Sequence, residues 1–350
     1  MMFLDNNIHN NSGSTQFYGF PSPPFPFPIP SPNTFRTIHD LGSQSYAQYG
    51  QATETFKDKL DLTLGLRSTY DERSVQRARA LQSAAPTIPF GGYNLSDTFY
   101  DLSPKFAAAY HFNPKIEGYA SVTRGYQSGG FNPSIDKASQ SEYNPANSWQ
   151  GELGVKSGGW AGRTTANADV FYNETSGYQA FRFNPLDPTQ SYVVNANRAS
   201  SYGAEIELAG RPQAKLEWNA GAGYTHAIYD SFRDTGTGVV YDGRTISFAP
   251  EFTAHFGATY YLQGNYFIRG EVQGVGQYFL DDANSASQQA FALVNAEIGY
   301  QTKNISASFF ARNIFDQRYY QNALELPAPT GTIREIGDPL MFGFSLTAHF

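Results

Sequence analysis

Few residues in the sequence have the spacing that catalysis or metal binding requires. The chain has no cysteine, its six histidines show no metal-ligand spacing, and no phosphate-binding GxxxxGK segment occurs. DTGT at 234–237 copies the turn of aspartic proteases, but it occurs once and follows Arg233, whereas a paired carboxylate would need a second copy or a dimer. We therefore expect a protein that is not an enzyme and that holds no cofactor or metal.

Two pairs of charged residues could contact small ions or ligands. Asp281 and Asp282 could help to hold Ca²⁺ in a loop, although solvated loop carboxylates are the simpler interpretation. Arg124 and Arg312 lie near predicted strand ends, where they could meet an anionic ligand or a lipid phosphate. Both arginines could equally be solvated rim charges, so the elements that position them matter.

Strands are the elements predicted from about residue 43 onward, because apolar and polar side chains alternate with a period of two. In DLTLGLRSTYD (61–71) the leucines share one face and the charged residues share the other. The closing FGFSLTAHF (342–350) alternates in the same way. We predict about 13 strands, near residues 43–55, 60–72, 98–111, 116–127, 146–157, 163–174, 191–209, 214–229, 250–261, 265–279, 290–301, 304–315 and 340–350.

The predicted connections alternate between short and long. Short links lie at 56–59, 112–115, 158–162, 210–214, 262–265 and 301–304. Long polar loops lie near 73–97, 128–145, 175–190, 230–249, 280–289 and 316–339. Membrane β-barrels have short periplasmic turns and long extracellular loops, whereas a soluble sandwich has no reason to sort its loops by length. The pattern therefore predicts an all-β fold, an antiparallel transmembrane β-barrel.

Composition and charge are consistent with this class. Charged residues make up only 16% of the chain, against about 25% in a typical soluble protein. Aromatic residues are as common as charged ones, at 16%. The formal net charge of −7 argues against nucleic acid as a partner.

Residues 1–35 lie outside the strand pattern. GFPSPPFPFPIPSP (19–32) is rich in proline, which favours extended backbone and cannot donate to a β-ladder. We expect irregular coil over 1–35 and the barrel portion over 36–350. The opening MMFLDNNIHNN has no basic region and no apolar core, so no signal peptide is expected there.

Several segments resemble TonB-dependent receptors, the ligand-gated transporters of bacterial outer membranes. YASVTRGYQSGGFN (119–132) resembles their strand-to-loop signature, and SPKFAAAYHFNPKIEGYASV (103–122) resembles the hairpin that precedes it. Further segments resemble the family's later strands and its C-terminal assembly signal, and they occur in the family's order. They are NSWQGELGVKSG (147–158), FYN (171–173), NRASSYGAEIEL (197–208), ARNIFDQRYYQ (311–321) and GFSLTAHF (343–350).

The resemblance implies energised uptake of a scarce ligand, most often a ferric siderophore. It places YASVTRGY on the barrel wall and QSGGFN in an outside loop, so Arg124, Tyr126 and Gln127 are candidate ligand contacts. The implied partners are outer-membrane lipid, the small-molecule ligand and the TonB complex. The implied barrel-assembly signal consists of Phe342, Phe344, Leu346 and Phe350.

Receptors of this family have 22 strands around an N-terminal plug, so about 13 strands can form only the C-terminal part of the barrel. We expect a fragment without the plug that meets TonB, present as an open sheet with a polar concave face and an apolar convex face. Two alternatives stay open: a passive porin-like diffusion barrel, which needs no plug, and a secreted soluble β-sheet binding protein. No residue cluster identifies the ligand.

Overall fold

Twenty β-strands make up most of the structure, a computed structural model that describes residues 4–18, 33–82, 88–160, 163–184, 187–235, 237–326 and 331–348. Within these ranges the only helical segments are two 3-10 turns, Ala138–Gln140 and Gln263–Asn265. None of the described helices is long and apolar enough to cross a membrane.

The strands are β1 (Leu4–Tyr18), β2 (Asn33–Phe56), β3 (Leu60–Gln82), β4 (Ile88–Asn113), β5 (Ile116–Gln127), β6 (Gly130–Phe131), β7 (Glu142–Tyr143), β8 (Ala146–Trp160), β9 (Thr164–Asn184), β10 (Asp187–Gln213), β11 (Leu216–Ser231), β12 (Phe252–Tyr261), β13 (Tyr266–Val275), β14 (Tyr278–Phe279), β15 (Ser287–Gln288), β16 (Phe291–Gln301), β17 (Ile305–Arg312), β18 (Tyr320–Leu326), β19 (Gly331–Ile336) and β20 (Met341–Ala348).

Fourteen of these strands form one antiparallel sheet, here called the wall, in the order β1-β2-β3-β4-β5-β8-β9-β10-β11-β12-β13-β16-β17-β20. The pairs β6–β7, β14–β15 and β18–β19 lie in the long excursions between wall strands. Within the described ranges β1 and β20 do not pair with each other, so the wall is open. The predicted all-β antiparallel fold and its partial, unclosed barrel are confirmed.

Every predicted strand is present in the wall, and β1 is an addition. Leu4–Tyr18 pairs along its whole length with β2, although we expected irregular coil over 1–35. That expectation was wrong for residues 4–18 because they contain no proline and keep every N–H that a ladder needs. Within residues 1–35 every proline lies in 19–32, a segment outside the described residues.

Several wall strands run further on the long-loop side than the alternation predicts. β3 continues to Gln82 and β4 begins at Ile88, so most of the predicted loop 73–97 is a two-stranded ladder. β9 and β10 extend in the same way into 175–190. Hydrophobic alternation requires one apolar face, whereas backbone pairing does not. Backbone pairing therefore continues beyond the strand ends that the alternation predicts.

The wall has an apolar outer face and a polar inner face. On β3, Leu62, Leu64 and Leu66 are exposed on the outer face, and Leu102 and Phe106 of β4 lie beside them. The opposite parity of β3 carries charged and small polar groups, among them Asp61, Thr63, Arg67 and Asp71. A contiguous exposed apolar surface of this extent marks a region that faces lipid or protein.

Two aromatic rows bound the apolar outer face. Tyr46, Tyr70 and Tyr100 lie opposite one another on β2, β3 and β4, with ring centroids 6.3 Å and 4.8 Å apart. At the short-turn end Tyr110 packs against Phe112, with ring centroids 5.1 Å apart. Tyr100 and Tyr110 are about 33 Å apart along β4 at roughly 3.3 Å per residue. With a strand tilt of about 40°, this distance corresponds to a height of about 25 Å along the barrel axis, which equals the height of a barrel's apolar band.

The buried hydrophobic cluster lies beyond the upper aromatic row, at the end of the wall that carries the long excursions. This loop end is thus the part of the molecule with dry side-chain packing, and it positions the polar residues described next. The cluster consists of Ala180, Val194, Ala196, Ala199, Tyr229 and Phe232.

Candidate ligand-binding site

Two groups of polar side chains lie at the loop end, held by strand extensions and covered by excursions. The Arg77 cluster is formed where the excursion 128–145 folds onto β3 and β4, and it consists of Arg77, Arg79, Tyr93 and Asp136. The Arg182 cluster is formed where the excursions after β11 and β13 fold onto β9, and it consists of Arg182, Tyr229, Asp234, Tyr241 and Asp282.

In the Arg77 cluster one carboxylate bridges two guanidinium groups. Arg77 and Arg79 continue the inner face of β3 beyond Asp71 and are only 5% and 8% exposed. Arg77 Nη2 donates to Asp136 Oδ1 and Arg79 Nη1 donates to Asp136 Oδ2, both at 2.5 Å. Arg77 Nε also donates to the Pro133 carbonyl at 2.7 Å. The two arginines hold the excursion through charge-assisted hydrogen bonds, which are stronger than neutral ones.

The glycine-rich sequence after β5 lets this excursion lie close to the wall. A Cβ on Gly129 would come within 2.6 Å of the Tyr143 carbonyl oxygen and 2.8 Å of the Phe99 ring, so only glycine fits without a shift. The Tyr93 hydroxyl donates to the Ile135 carbonyl at 2.8 Å and fixes the next turn. The strand therefore runs directly into glycines because the following loop packs back onto the inner face.

The Arg182 cluster joins three segments that are distant in sequence. Arg182 Nη1 donates to Asp282, and Arg182 Nε lies 3.6 Å from Asp234 Oδ2. The guanidinium carbon lies 4.9 Å and 5.0 Å from the ring centroids of Phe232 and Tyr241. Burial opposes the charge of Arg182, but the neighbouring Asp282 raises the pKa of this guanidinium. Burial, reinforced by Asp282, also raises the pKa of the Tyr229 phenol.

The acidic motifs noted in the sequence are parts of this packing. Asp282 accepts hydrogen bonds from the Tyr229 hydroxyl at 3.0 Å and the Ser247 N–H at 3.1 Å, in addition to Arg182. Asp281 accepts the Ser285 N–H at 2.7 Å. Asp234, the aspartate of DTGT, accepts the Thr237 N–H at 3.2 Å within a turn. Across the described ranges no three His, Asp or Glu side chains are placed to hold a metal ion.

Both earlier interpretations of Asp281 and Asp282 are therefore corrected. The sequence suggested either a Ca²⁺ site or solvated loop carboxylates. In the structure Asp281 and Asp282 are only 9% and 8% exposed, and both accept hydrogen bonds from neighbouring groups. Their carboxylates close the loops through protein donors, since Arg182 supplies the cation for Asp282.

The structure places the predicted ligand contacts at one strand end but in different surroundings. Arg124 donates to the Asp101 carboxylate, to the Leu102 carbonyl at 2.5 Å and to Asn147 Oδ1 at 2.7 Å. The β4–β5 ladder ends at the residue next to Pro104, which has no N–H to donate, and Arg124 bonds the wall together beyond that point. The role of Arg124, Tyr126 and Gln127 as ligand contacts stays a prediction.

The other two predicted contacts differ in exposure. The Tyr126 hydroxyl is buried and has no hydrogen-bond partner within the part of the chain that the structure describes. Gln127 is exposed and pairs with Ala146 at the last rung of the β5–β8 ladder.

The remaining predicted residues lie on β17 and β20. Phe342, Phe344 and Leu346 are exposed on the outer face of β20, the last strand of the wall, and Phe350 lies outside the described residues. Arg312, at the end of β17, places its guanidinium carbon 5.0 Å from the ring centroid of Phe310. The assembly signal remains a prediction, and Arg312 is an exposed charge stacked on an aromatic ring.

Sequence reasoning missed Arg77, Arg79 and Arg182. The first two could have been found by continuing the inner-face parity of Asp71 through RSVQRARA (73–80), which places arginines at 73, 77 and 79 on one face. Arg182 had no such signal, because its partner Asp282 is a hundred residues away in sequence.

Comparison with known proteins decides the family. The family model described as "TonB dependent receptor-like, beta-barrel" matches residues 4–314. The chain belongs to the TonB-dependent receptors. Among curated relatives, the pesticin receptor of Yersinia pestis is 24% identical over 307 residues, covering 84% of this chain and 43% of that protein. The pesticin receptor of Yersinia enterocolitica is 24% identical over 331 residues, covering 91% and 45%.

Solved structures agree on the fold of this TonB-dependent receptor chain. The ferric yersiniabactin uptake receptor FyuA of Yersinia pestis superposes with a TM-score of 0.76 at 20% identity, covering 97% of this chain and 49% of that one. The ferric-catecholate import receptor Fiu of E. coli K12 gives a TM-score of 0.70 at 15% identity, covering 99% and 54%. The chain thus spans about half the length of the receptors that it matches.

Proposed function

We propose that this chain is the C-terminal part of the barrel of an outer-membrane receptor that takes up a ferric siderophore, energised through TonB. The observation that carries the proposal is the family match over residues 4–314. The names of the similar structures, ferric yersiniabactin and ferric-catecholate receptors, support an iron chelate as the ligand class. In this proposal the plug and the TonB contact belong to a preceding part of the receptor, and the wall forms its share of the passage.

The outer face supports the membrane location. An apolar band about 25 Å tall between two aromatic rows suits a bilayer, since barrel proteins place aromatic girdles at both interfaces. The inner face, with its aspartates, arginines and threonines, suits a wet passage. Ligand would arrive at the loop end, where both polar clusters lie.

Uptake of iron tests the proposed function. The whole receptor that contains this chain, produced in bacteria without their own siderophore receptors, should restore accumulation of radioactive iron from ferric yersiniabactin or a ferric catecholate. Accumulation should stop when TonB is deleted, because the passage opens only with energy from the inner membrane. Uptake that is unchanged without TonB would instead indicate a passive diffusion barrel and contradict the proposal.

The orientation of the wall gives a second test. We expect the loop end outside the cell and the short turns in the periplasm. Because the chain has no cysteine, single cysteines can be placed at the exposed Ser139 and Asn304 and labelled in intact cells with a membrane-impermeant maleimide. Ser139→Cys should react at once and Asn304→Cys only after the outer membrane is permeabilised. The reverse pattern would overturn the proposed topology.

A further inference from the structure

Positive charge is concentrated at the short-turn end of the wall, in the turns and the strand ends beside them. These segments carry eight lysines and arginines against four aspartates and glutamates, whereas the whole chain has 24 against 31. The segments are 56–61, 111–117, 156–163, 211–217, 261–266 and 301–305. Their basic residues, here called the basic rim, are Lys57, Lys59, Lys115, Lys156, Arg163, Arg211, Lys215 and Lys303. An excess of positive charge beside an apolar band matches a layer of anionic headgroups.

Two lysines of the basic rim have a fixed backbone and an exposed side chain. The Lys59 carbonyl accepts the His111 N–H at 2.8 Å, and the Lys115 carbonyl accepts an N–H of β8 at 2.7 Å. Both lysines are exposed, and across the described ranges neither forms an ion pair. The nearby acids Asp61 and Glu117 lie 3.0 Å and 3.4 Å from the His111 ring nitrogens instead. The two ammonium groups are therefore available to a partner outside the chain.

A polar hollow of about 760 Å³ lies between these two lysines. Three lysines, two carboxylates and one histidine supply its charged lining, so lysines outnumber carboxylates there. These residues are Lys59, Lys115, Lys156, Asp58, Glu117 and His111. Phe112 forms one wall of the hollow and also borders the trough described next.

An apolar trough of about 690 Å³ adjoins Phe112 on the outer face, across β4, β5 and β8. β5 contributes only Gly118 and Ala120 to it. Tyr110 on β4 and Val155 on β8 flank Gly118 in the ladders, and both are larger and exposed. The small residues of β5 thus leave a depression between the larger residues of its two neighbours.

The trough and the hollow together suit an amphipathic anion. The trough lies inside the apolar band, where only hydrocarbon is a favourable neighbour. The hollow lies beyond the lower aromatic row, where lysines extend their stems along apolar surface and keep the ammonium group at the level of the headgroups. Because the two spaces share Phe112, one molecule with a hydrocarbon chain and a negative headgroup can occupy both.

We propose that the trough and the hollow bind an anionic phospholipid, with an acyl chain over Gly118 and Ala120 and the phosphate between Lys59 and Lys115. The proposal deepens the proposed function and rests on it for the leaflet: with the short turns in the periplasm, the lipid belongs to the periplasmic leaflet. The pairing of an apolar trough with unpaired lysines follows from the geometry alone.

Fluorescence quenching by labelled lipid tests the site. The whole receptor that contains this chain carries a fluorophore on Gly158→Cys, which lines the hollow and whose Cβ would have no neighbour nearer than 4.0 Å. It is reconstituted in phosphatidylcholine vesicles with a little phosphatidylglycerol that bears a nitroxide near the carbonyl end of one acyl chain. This lipid should quench more strongly than phosphatidylcholine with the same nitroxide. Lys59→Gln and Lys115→Gln should each lower the preference about fivefold.

A second pair of lysines separates this site from a general effect of charge. Lys215→Gln together with Lys303→Gln removes the same two charges from the basic rim, but at the β10–β11 and β16–β17 turns. The preference for phosphatidylglycerol at the Gly158→Cys label should then stay near that of the parent receptor. Equal losses from the two lysine pairs would mean attraction to the rim as a whole and would overturn the site.

Filling the trough tests the acyl-chain part of the site. Ala120→Phe keeps every lysine but occupies the trough, so the preference should fall. Val272→Phe adds the same ring to the outer face of β13, outside the trough, and should leave the preference unchanged. Unchanged quenching in Ala120→Phe, or displacement of the labelled lipid by lipopolysaccharide and not by phosphatidylglycerol, would overturn the proposal. Either outcome leaves the iron-uptake experiment unaffected, and failed iron uptake leaves the quenching experiment unaffected.

Discussion

Arg182→Met is expected to open the loop end of the wall while the membrane-facing part stays folded. The substitution leaves Asp234 and Asp282, which are 1% and 8% exposed, without their shared cation. Removing one partner of a buried ion pair costs about 3–5 kcal/mol, since the remaining charge is buried and uncompensated. The excursions after β11 and β13 should therefore detach from β9.

Hydrogen exchange measures this effect locally. Amides of 232–249 and 280–288 should lose most of their protection in Arg182→Met, whereas amides near 60–66 on β3 should keep theirs. Adding Asp282→Asn to Arg182→Met should restore part of the protection, because the double variant no longer buries that charge alone.

Arg198→Met provides the matched control. Arg198 is on β10, its side chain is 54% exposed, and its Nε lies 3.8 Å from Asp230 Oδ2. After the substitution Asp230 keeps the hydrogen bond from the Ser200 hydroxyl at 3.0 Å. An ion pair with an exposed partner contributes little to stability, so the exchange pattern should not change. Equal protection of the excursions in Arg182→Met and Arg198→Met would show that Arg182 does not hold them.

The sequence predicts the wall best where one of its faces is apolar. Leu62, Leu64 and Leu66 alternate with polar residues, and the strand, its face and its neighbours follow from that period. The period stops near Asp71, beyond which polar residues predominate, and the predicted strand therefore ends ten residues before the observed one. Beyond Asp71 the backbone groups of β3 continue to pair, but the sequence there has no hydrophobic alternation that would predict the strand.

The candidate site was less predictable than the wall, for a related reason. Its contacts join segments far apart in the chain, such as Arg182 with Asp282 and Arg77 with Asp136. No local period specifies such pairs. Arg124 was found because it lies within a recognisable strand-to-loop motif, but its partners Asp101 and Asn147 could not be inferred from that motif.

Phe342→Arg is expected to prevent most of the receptor from inserting into the outer membrane. Phe342 is 73% exposed on the outer face of β20 and lies opposite Ala311. Leu346, four residues further along β20, lies level with Ala307 and Tyr300 on the neighbouring strands. At roughly 3.3 Å per residue and a strand tilt of about 40°, Phe342 lies about 10 Å higher than Leu346 along the barrel axis. That height is near the middle of the apolar band, where an arginine facing lipid costs about 2–4 kcal/mol.

Ser345→Arg is the matched control for this charge. Ser345 belongs to the opposite parity of β20 and lines a hollow on the inner face. Two acids and two arginines line the same hollow, Glu271, Glu297, Arg269 and Arg312, so an added charge there meets polar groups and water and not lipid. The measurement is the heat-modifiable, membrane-inserted fraction of the receptor after expression of each variant. Insertion should fall strongly in Phe342→Arg and remain near the parent level in Ser345→Arg. Equal insertion of the two variants would mean that the apolar face of β20 does not contact lipid, and the membrane assignment of this wall would fail with it.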